Sequence, residues 1–316
     1  MRTRARTRSS LSAAWAVALV AISACAAVLP PCASGQTPAP AVEEWGDLGY
    51  VSVNAVLGGL TAGITSAVRG GPFFEPFAHG VLGGATSYVG KRVSGGGFWG
   101  AGLVGRQVAA TGASMVRSAA FGDGLLDTLF LPLGPGRLHV PIGSDGRTGY
   151  RLDLEEVGWV VYSLTREHLS FDAGRTLSAG AFVFVGDERL RGEHDDALGR
   201  AAPGVISIRD SGPVPQATLA HEQAHIAQLD HLKIVWGLPL EGVLRKAVGL
   251  RTGTWLAHVE AGLGHYPILW LLTAPWSEHG SRPLEREAEY MESIRREAIC
   301  PGTPTPECGG LPEPVR

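Results

Sequence analysis

Small and apolar residues divide the chain into two textures. Between residues 47 and 122, Gly, Ala and aliphatic side chains dominate and recur at helical spacing. Val56-Leu-Gly-Gly59 returns as Val81-Leu-Gly-Gly84, 25 positions later. The same offset pairs Gly70-Gly71 with Gly95-Gly96 and Phe73-Phe74 with Phe98-Trp99. The repeat predicts two helices of about four turns, each closed by a glycine break and an aromatic pair. A third helix is expected over Gly102–Ala120. Gly59, Gly63 and Ala67 are spaced by four, as are Gly105, Ala109 and Ala113. Such stripes let helix backbones approach closely. The apolar stretches last only about 12 to 15 residues, short of the roughly 20 that span a bilayer. Arg69, Lys91, Arg92, Arg106 and Arg117 interrupt them. Close-packed soluble or membrane-surface helices are therefore expected rather than spanning ones.

From Leu125 the period shortens. Leu125–Pro132, Arg137–Ile142 and Gly149–Leu154 read as short strands separated by Gly-Pro-Gly and Ser-Asp-Gly-Arg turns. Asp153 is placed to cap a helix running to about His168. Ala181–Val185 and Gly204–Ile208 read as two more strands, joined by a charged loop over Gly186–Pro203. The second leads into Thr218–Gln228, where Leu219, Ala220, Ala224, Ile226 and Ala227 set a helical pattern that no Gly or Pro interrupts. Val235–Pro275 is apolar and carries Trp236, Trp255 and Trp270, which suits core packing first and a wall or lid over the site second. The alternation of strands and helices predicts an α+β fold behind a glycine-rich helical region.

Composition narrows the setting. Net charge is −3 and charged residues are 18% of the chain, so no global basic footprint points to nucleic acid. Arg2, Arg4, Arg6 and Arg8 precede an apolar run from Leu11 to Leu29 and then Ala33-Ser34-Gly35, the order of an export signal ending near Gly35. Ile22-Ser23-Ala24-Cys25 offers a competing lipobox-like cut and a lipid anchor. Cys25 and Cys32 fall in the leader, leaving Cys300 and Cys308 to flank a turn-rich loop that a disulfide could close after export.

The chemistry lies in His221-Glu222-Gln223-Ala224-His225, which fits H-E-x-x-H. On a helix the two imidazoles sit one turn apart on one face and can share a zinc ion. Glu222 then lies beside them as a general base. Two third ligands compete. His231 stands where the H-E-x-x-H-x-x-G-x-x-H pattern needs a histidine, but Gln228 replaces the Gly that turns the chain there. Ser281-Arg-Pro-Leu-Glu285-Arg-Glu287-Ala-Glu289 resembles the S-R-x-x-E-x-x-A-D segment of gluzincin metallopeptidases related to the CAAX prenyl protease and its periplasmic relatives. The resemblance covers these two short motifs. It implies a zincin-like core with Glu285 as third zinc ligand. It also puts Glu289 where the family has an aspartate that buttresses a ligand histidine. Glu287 is the fallback ligand. His279, His265 and Tyr290 are candidates to stabilise an oxyanion, with His279 put first.

The organisation expected is a signal peptide over 1–35, a linker over 36–46 and glycine-rich helices over 47–122. A strand–helix region over 123–175, a metallopeptidase core over 176–299 and a tail over 300–316 follow. The function expected is an exported, zinc-dependent endopeptidase of the periplasm or cell envelope, acting on a polypeptide. The rival is a non-enzymatic envelope protein. Its glycine-rich helices would bind membrane or partner helices, beside a zincin scaffold that metal merely stabilises.

Overall fold

In the computed structural model, residues 46–143, 146–165, 169–186, 198–209, 215–237, 259–260 and 283–299 are described. The proposed leader, most of the linker, Cys300, Cys308, His265, His279, Trp255 and Trp270 lie outside them.

Three long helices come first: α1 (Gly46–Val68), α2 (Phe74–Ser94) and α3 (Ala101–Phe121). The glycine breaks fall where the repeat puts them, but the first two helices run 23 and 21 residues rather than four turns, while the third covers the expected Gly102–Ala120. Val-Leu-Gly-Gly therefore lies in mid-helix in both copies. The reason is packing. A Cβ on Gly84 would stand 2.1 Å from the Asn54 carbonyl oxygen, and one on Gly80 would stand 2.3 Å from that of Gly58. A Cβ on Gly90 would meet the Ala109 nitrogen at 2.2 Å. Glycine lets antiparallel backbones touch along both seams, and the contact outweighs glycine's low helix propensity. Gly59 and Gly63 serve differently: they make room for Phe77, Val81 and the Phe73 ring.

A consequence can be measured. Gly84→Ala is expected to lower stability by about 1–3 kcal/mol or more, because only backbone surrounds the new methyl and it cannot swing aside. Gly158→Ala, also in a helix but with open space at its Cβ, is expected to hold or gain stability by about 0.5–1 kcal/mol. Denaturant midpoints of the two variants make the comparison.

Two small sheets follow. The first joins β1 (Thr128–Pro132), β2 (Gly136–Pro141), β3 (Gly149–Asp153) and the two-residue β8 (Val259–Glu260), in the order β1-β2-β3-β8. Its first three strands are antiparallel and β8 runs parallel to β3. Asp153 ends β3 and caps α4 (Leu154–Thr165), its Oδ1 accepting from the backbone N–H of Glu155 at 3.0 Å and of Glu156 at 3.3 Å. The second sheet contains β4 (Ser170–Phe171), β5 (Phe182–Gly186), β6 (Gly199–Ala202) and β7 (Val205–Arg209), in the order β4-β5-β7-β6. A short helix, α5 (Ala173–Ala179), bridges β4 and β5. The loop expected over Gly186–Pro203 thus holds a strand. β6 turns back on β7 through Pro203-Gly204, with Gly204 at φ +69°.

The central element is α6 (Pro215–Leu232), extended by a π-helical turn over Lys233–Gly237. Ala217, Ala220, Ala224, Ile226 and Ala227 are at most 2% exposed. Ile226 packs into the core of the second sheet with Val183, Ile206 and Ile208. Ala224 packs with Tyr50 of α1, Tyr88 of α2, and Ala288 and Met291 of the last helix, α7 (Pro283–Ile299). Two of the charges that interrupt the glycine-rich helices point inward: Lys91 pairs with Glu287 at 2.7 Å and Arg106 with Asp230 at 2.6 Å. Asp47 is the one charged residue in α1, which is long and apolar enough to cross a membrane by length and composition. The apolar stretch there is longer than the sequence reading allowed.

Candidate metal centre

The site is built where α6 and α7 face each other. His221 and His225 lie one turn apart on α6, with Nε2 atoms 3.1 Å apart. Glu285, in the first turn of α7, brings its Oε2 to 3.5 Å from His221 Nε2 and 3.3 Å from His225 Nε2. Three donor atoms from two helices converge on one point, and the group could hold a metal ion. The triangle fits a small tetrahedral ion: bonds of 2.0–2.1 Å set ligand atoms about 3.3 Å apart. The donor set, two imidazoles and a carboxylate, suits zinc.

Surrounding charge favours a cation. Burial works against a charged His221, but the Glu285 and Glu292 carboxylates outweigh it and lift the imidazole to about 10. His225 is raised too, as Glu285 and Glu222 overcome burial. Glu222 is 5% exposed, and burial lifts its carboxyl above the usual range against the pull of the two histidines. The edge strand β6 lies directly on it: a Cβ on Gly199 would stand 2.6 Å from Glu222 Oε1.

The other candidates separate cleanly. Glu287 faces away from the histidines and accepts from Lys91, Asn54 and Gln228. His231 puts Nδ1 3.3 Å from Ser87 Oγ, and burial with the nearby Lys91 presses its imidazole down to about 4. It is no part of the triad. Because α6 continues straight through Gln228, the helix carries His231 to the glycine-rich side. Tyr290 stacks on Tyr50 at 4.9 Å between ring centres, towards α1. Glu289 does not take the expected buttressing place. Among the described residues the carboxylate at His221 Nδ1 is Glu292, at 3.2 Å, one turn further along α7 and not aligned for a straight hydrogen bond. His225 Nδ1 is met by Gln228 Oε1 at 2.9 Å.

Gln228 and Glu292 are contacts to the two histidines that the sequence does not announce. The signal for Gln228 was its place three residues after His225, on the same helix face. Glu292 stands seven residues after Glu285, again on one face, but nothing local marks it out within a charged helix.

No family model, curated protein or solved structure matches the chain.

Proposed function

We propose that this chain is a zinc-dependent metallopeptidase of the gluzincin type, with His221, His225 and Glu285 holding the ion. The observation that carries the reading is the convergence of those three donor atoms, from motifs 60 residues apart in sequence, at separations of 3.1, 3.3 and 3.5 Å. When bound, zinc supplies a Lewis acid that polarises a carbonyl and brings the pKa of water towards neutrality. Glu222 is placed next to the ligand histidines to take a proton from the attacking water and return it to the leaving amine. Its burial keeps solvent from competing for that proton. Among the described residues β6 is the edge strand beside it, and an extended polypeptide could pair with its outer side. β7, the strand that runs into the helix, is interior, flanked by β5 and β6. The basic and apolar N-terminus adds export to the periplasm or envelope to the proposal.

The length and apolarity of α1 favour a second reading, a non-enzymatic envelope protein whose helices contact membrane or partner helices. Metal analysis and turnover separate the two. About one zinc per chain is expected in the wild type and less than about a tenth of that in His225→Ala. Chelation is expected to abolish hydrolysis of a fluorogenic unfolded-protein substrate, and added zinc to restore it. A wild type without zinc overturns the proposal, and zinc without turnover favours the second reading.

A further inference from the structure

The glycine-rich helices reach the candidate metal centre through a chain of buried polar groups. Glu287 on α7 is 5% exposed, and three donors hold its carboxylate. Lys91 Nζ from α2 donates to Oε2 at 2.7 Å. Asn54 Nδ2 from α1 donates to Oε1 at 2.8 Å, and Gln228 Nε2 from α6 donates to Oε2 at 2.8 Å. Lys91 also donates to Asn54 Oδ1 at 2.9 Å, which fixes which way round the Asn54 amide lies.

Direction matters along this chain. Gln228 Nε2 donates to the Leu284 carbonyl at 3.1 Å as well as to Glu287. A carboxylate and a carbonyl only accept, so the Gln228 amide must turn its NH2 towards them and its Oε1 towards His225. Oε1 only accepts as well, so His225 carries its hydrogen on Nδ1, 2.9 Å away. In the neutral imidazole the free lone pair is then on Nε2, the atom that joins His221 and Glu285. Reversing the amide would set its oxygen against two acceptors and point NH2 groups at His225, leaving the wrong nitrogen free.

We propose that Lys91 and Asn54 of the glycine-rich helices are positioning residues for the metal centre, holding His225 through Glu287 and Gln228 in the tautomer that a metal ion needs. The inference rests on reading the triad as a metal site. It also gives the Val-Leu-Gly-Gly repeat a task. Gly84 packs on the Asn54 backbone, and that contact fixes the register that brings Asn54 and Lys91 together. The orientation of a ligand imidazole by such partners is typically worth 10–100-fold in metal affinity.

The test needs variants that fold. Lys91→Met alone leaves a buried carboxylate without its cation, so the neutral pair Lys91→Met/Glu287→Gln carries the experiment, with Gln228→Met beside it. With Glu287→Gln the partner can donate as well as accept, so only the Leu284 carbonyl still holds the Gln228 amide the right way round. Metal-free melting temperatures first establish that each variant is folded. In competition with a chelator, zinc is expected to bind both about 10–100-fold more weakly than it binds the wild type. Unchanged affinity in folded variants overturns the inference. A wild type that takes up no zinc overturns the peptidase reading instead, and NMR of the neutral imidazoles then decides the relay. His225 with hydrogen on Nδ1 in the wild type and mixed tautomers in the double variant supports it. The same tautomer in both overturns it.

Discussion

Glu222→Gln is expected to bind zinc as the wild type does and to hydrolyse peptide roughly 10²–10⁴-fold more slowly, the usual contribution of a general base. The substitution keeps shape. Glu222 is 5% exposed and its carboxylate rests on the backbone of Gly199, so a side chain of equal size can occupy the same place. What the amide cannot do is accept the proton. The three donor atoms of His221, His225 and Glu285 are unaffected by the change, so metal content and melting temperature act as internal controls. Steady-state kinetics on an unfolded-protein substrate make the measurement. Full activity in a zinc-loaded Glu222→Gln protein would sink the peptidase mechanism. The same variant speaks to the envelope-protein reading, under which its function in cells would survive the loss of the carboxylate.

What the sequence made legible was mostly local. The helical pattern of α6 holds within a few turns, and so do the Gly-Pro-Gly turn before β2 and the Asp153 cap of α4. β6 escaped because Gly199-Arg-Ala-Ala202 has almost no strand propensity of its own. Pairing with β7 and packing against α6 make it a strand, and only the Pro203-Gly204 pair hinted at the turn. In the sequence Lys91 and Arg106 only interrupt apolar helices. Their partners, Glu287 and Asp230, stand 196 and 124 residues away, so no local pattern could show that these charges are buried and paired. Glu285 came from a motif resemblance rather than from periodicity, since its own helix is charged on several faces. Glu289 failed as the buttress for a geometric reason: on α7 the carboxylate that reaches His221 Nδ1 is Glu292.

Arg137→Met is expected to destabilise the fold by about 3–5 kcal/mol, the cost of stranding buried charge, against the 5–15 kcal/mol that typically holds a domain together. Arg137 on β2 is 1% exposed. Its Nη1 lies 2.6 Å from Glu260 Oε2 and 3.2 Å from Asp153 Oδ2. Its Nη2 lies 3.3 Å from Glu156 Oε1 and 3.8 Å from Asp230 Oδ1. Lys233 adds contacts at 2.8 Å to Asp153 and Glu155, and Arg106 pairs with Asp230. Three cations thus face the carboxylates of Asp153, Glu155, Glu156, Asp230 and Glu260. The balance is already acidic, and burial lifts Glu156 to about 7 despite Lys233 and Arg137. Methionine would fill much of the volume but leave two cations for the same five carboxylates. A lysine at 137 would keep the charge and lose the fork that serves four partners at once, so Arg137→Lys should fall between the two. Denaturant unfolding of the metal-free proteins measures the loss, and a Met variant as stable as the wild type would show that the cluster takes up protons instead. The effect should also reach the candidate metal centre. Asp230 and Lys233 sit at the end of the helix that carries His221 and His225, so loosening this cluster frees the far end of α6. Zinc uptake in Arg137→Met should therefore weaken, although Arg137 contacts none of the three ligands.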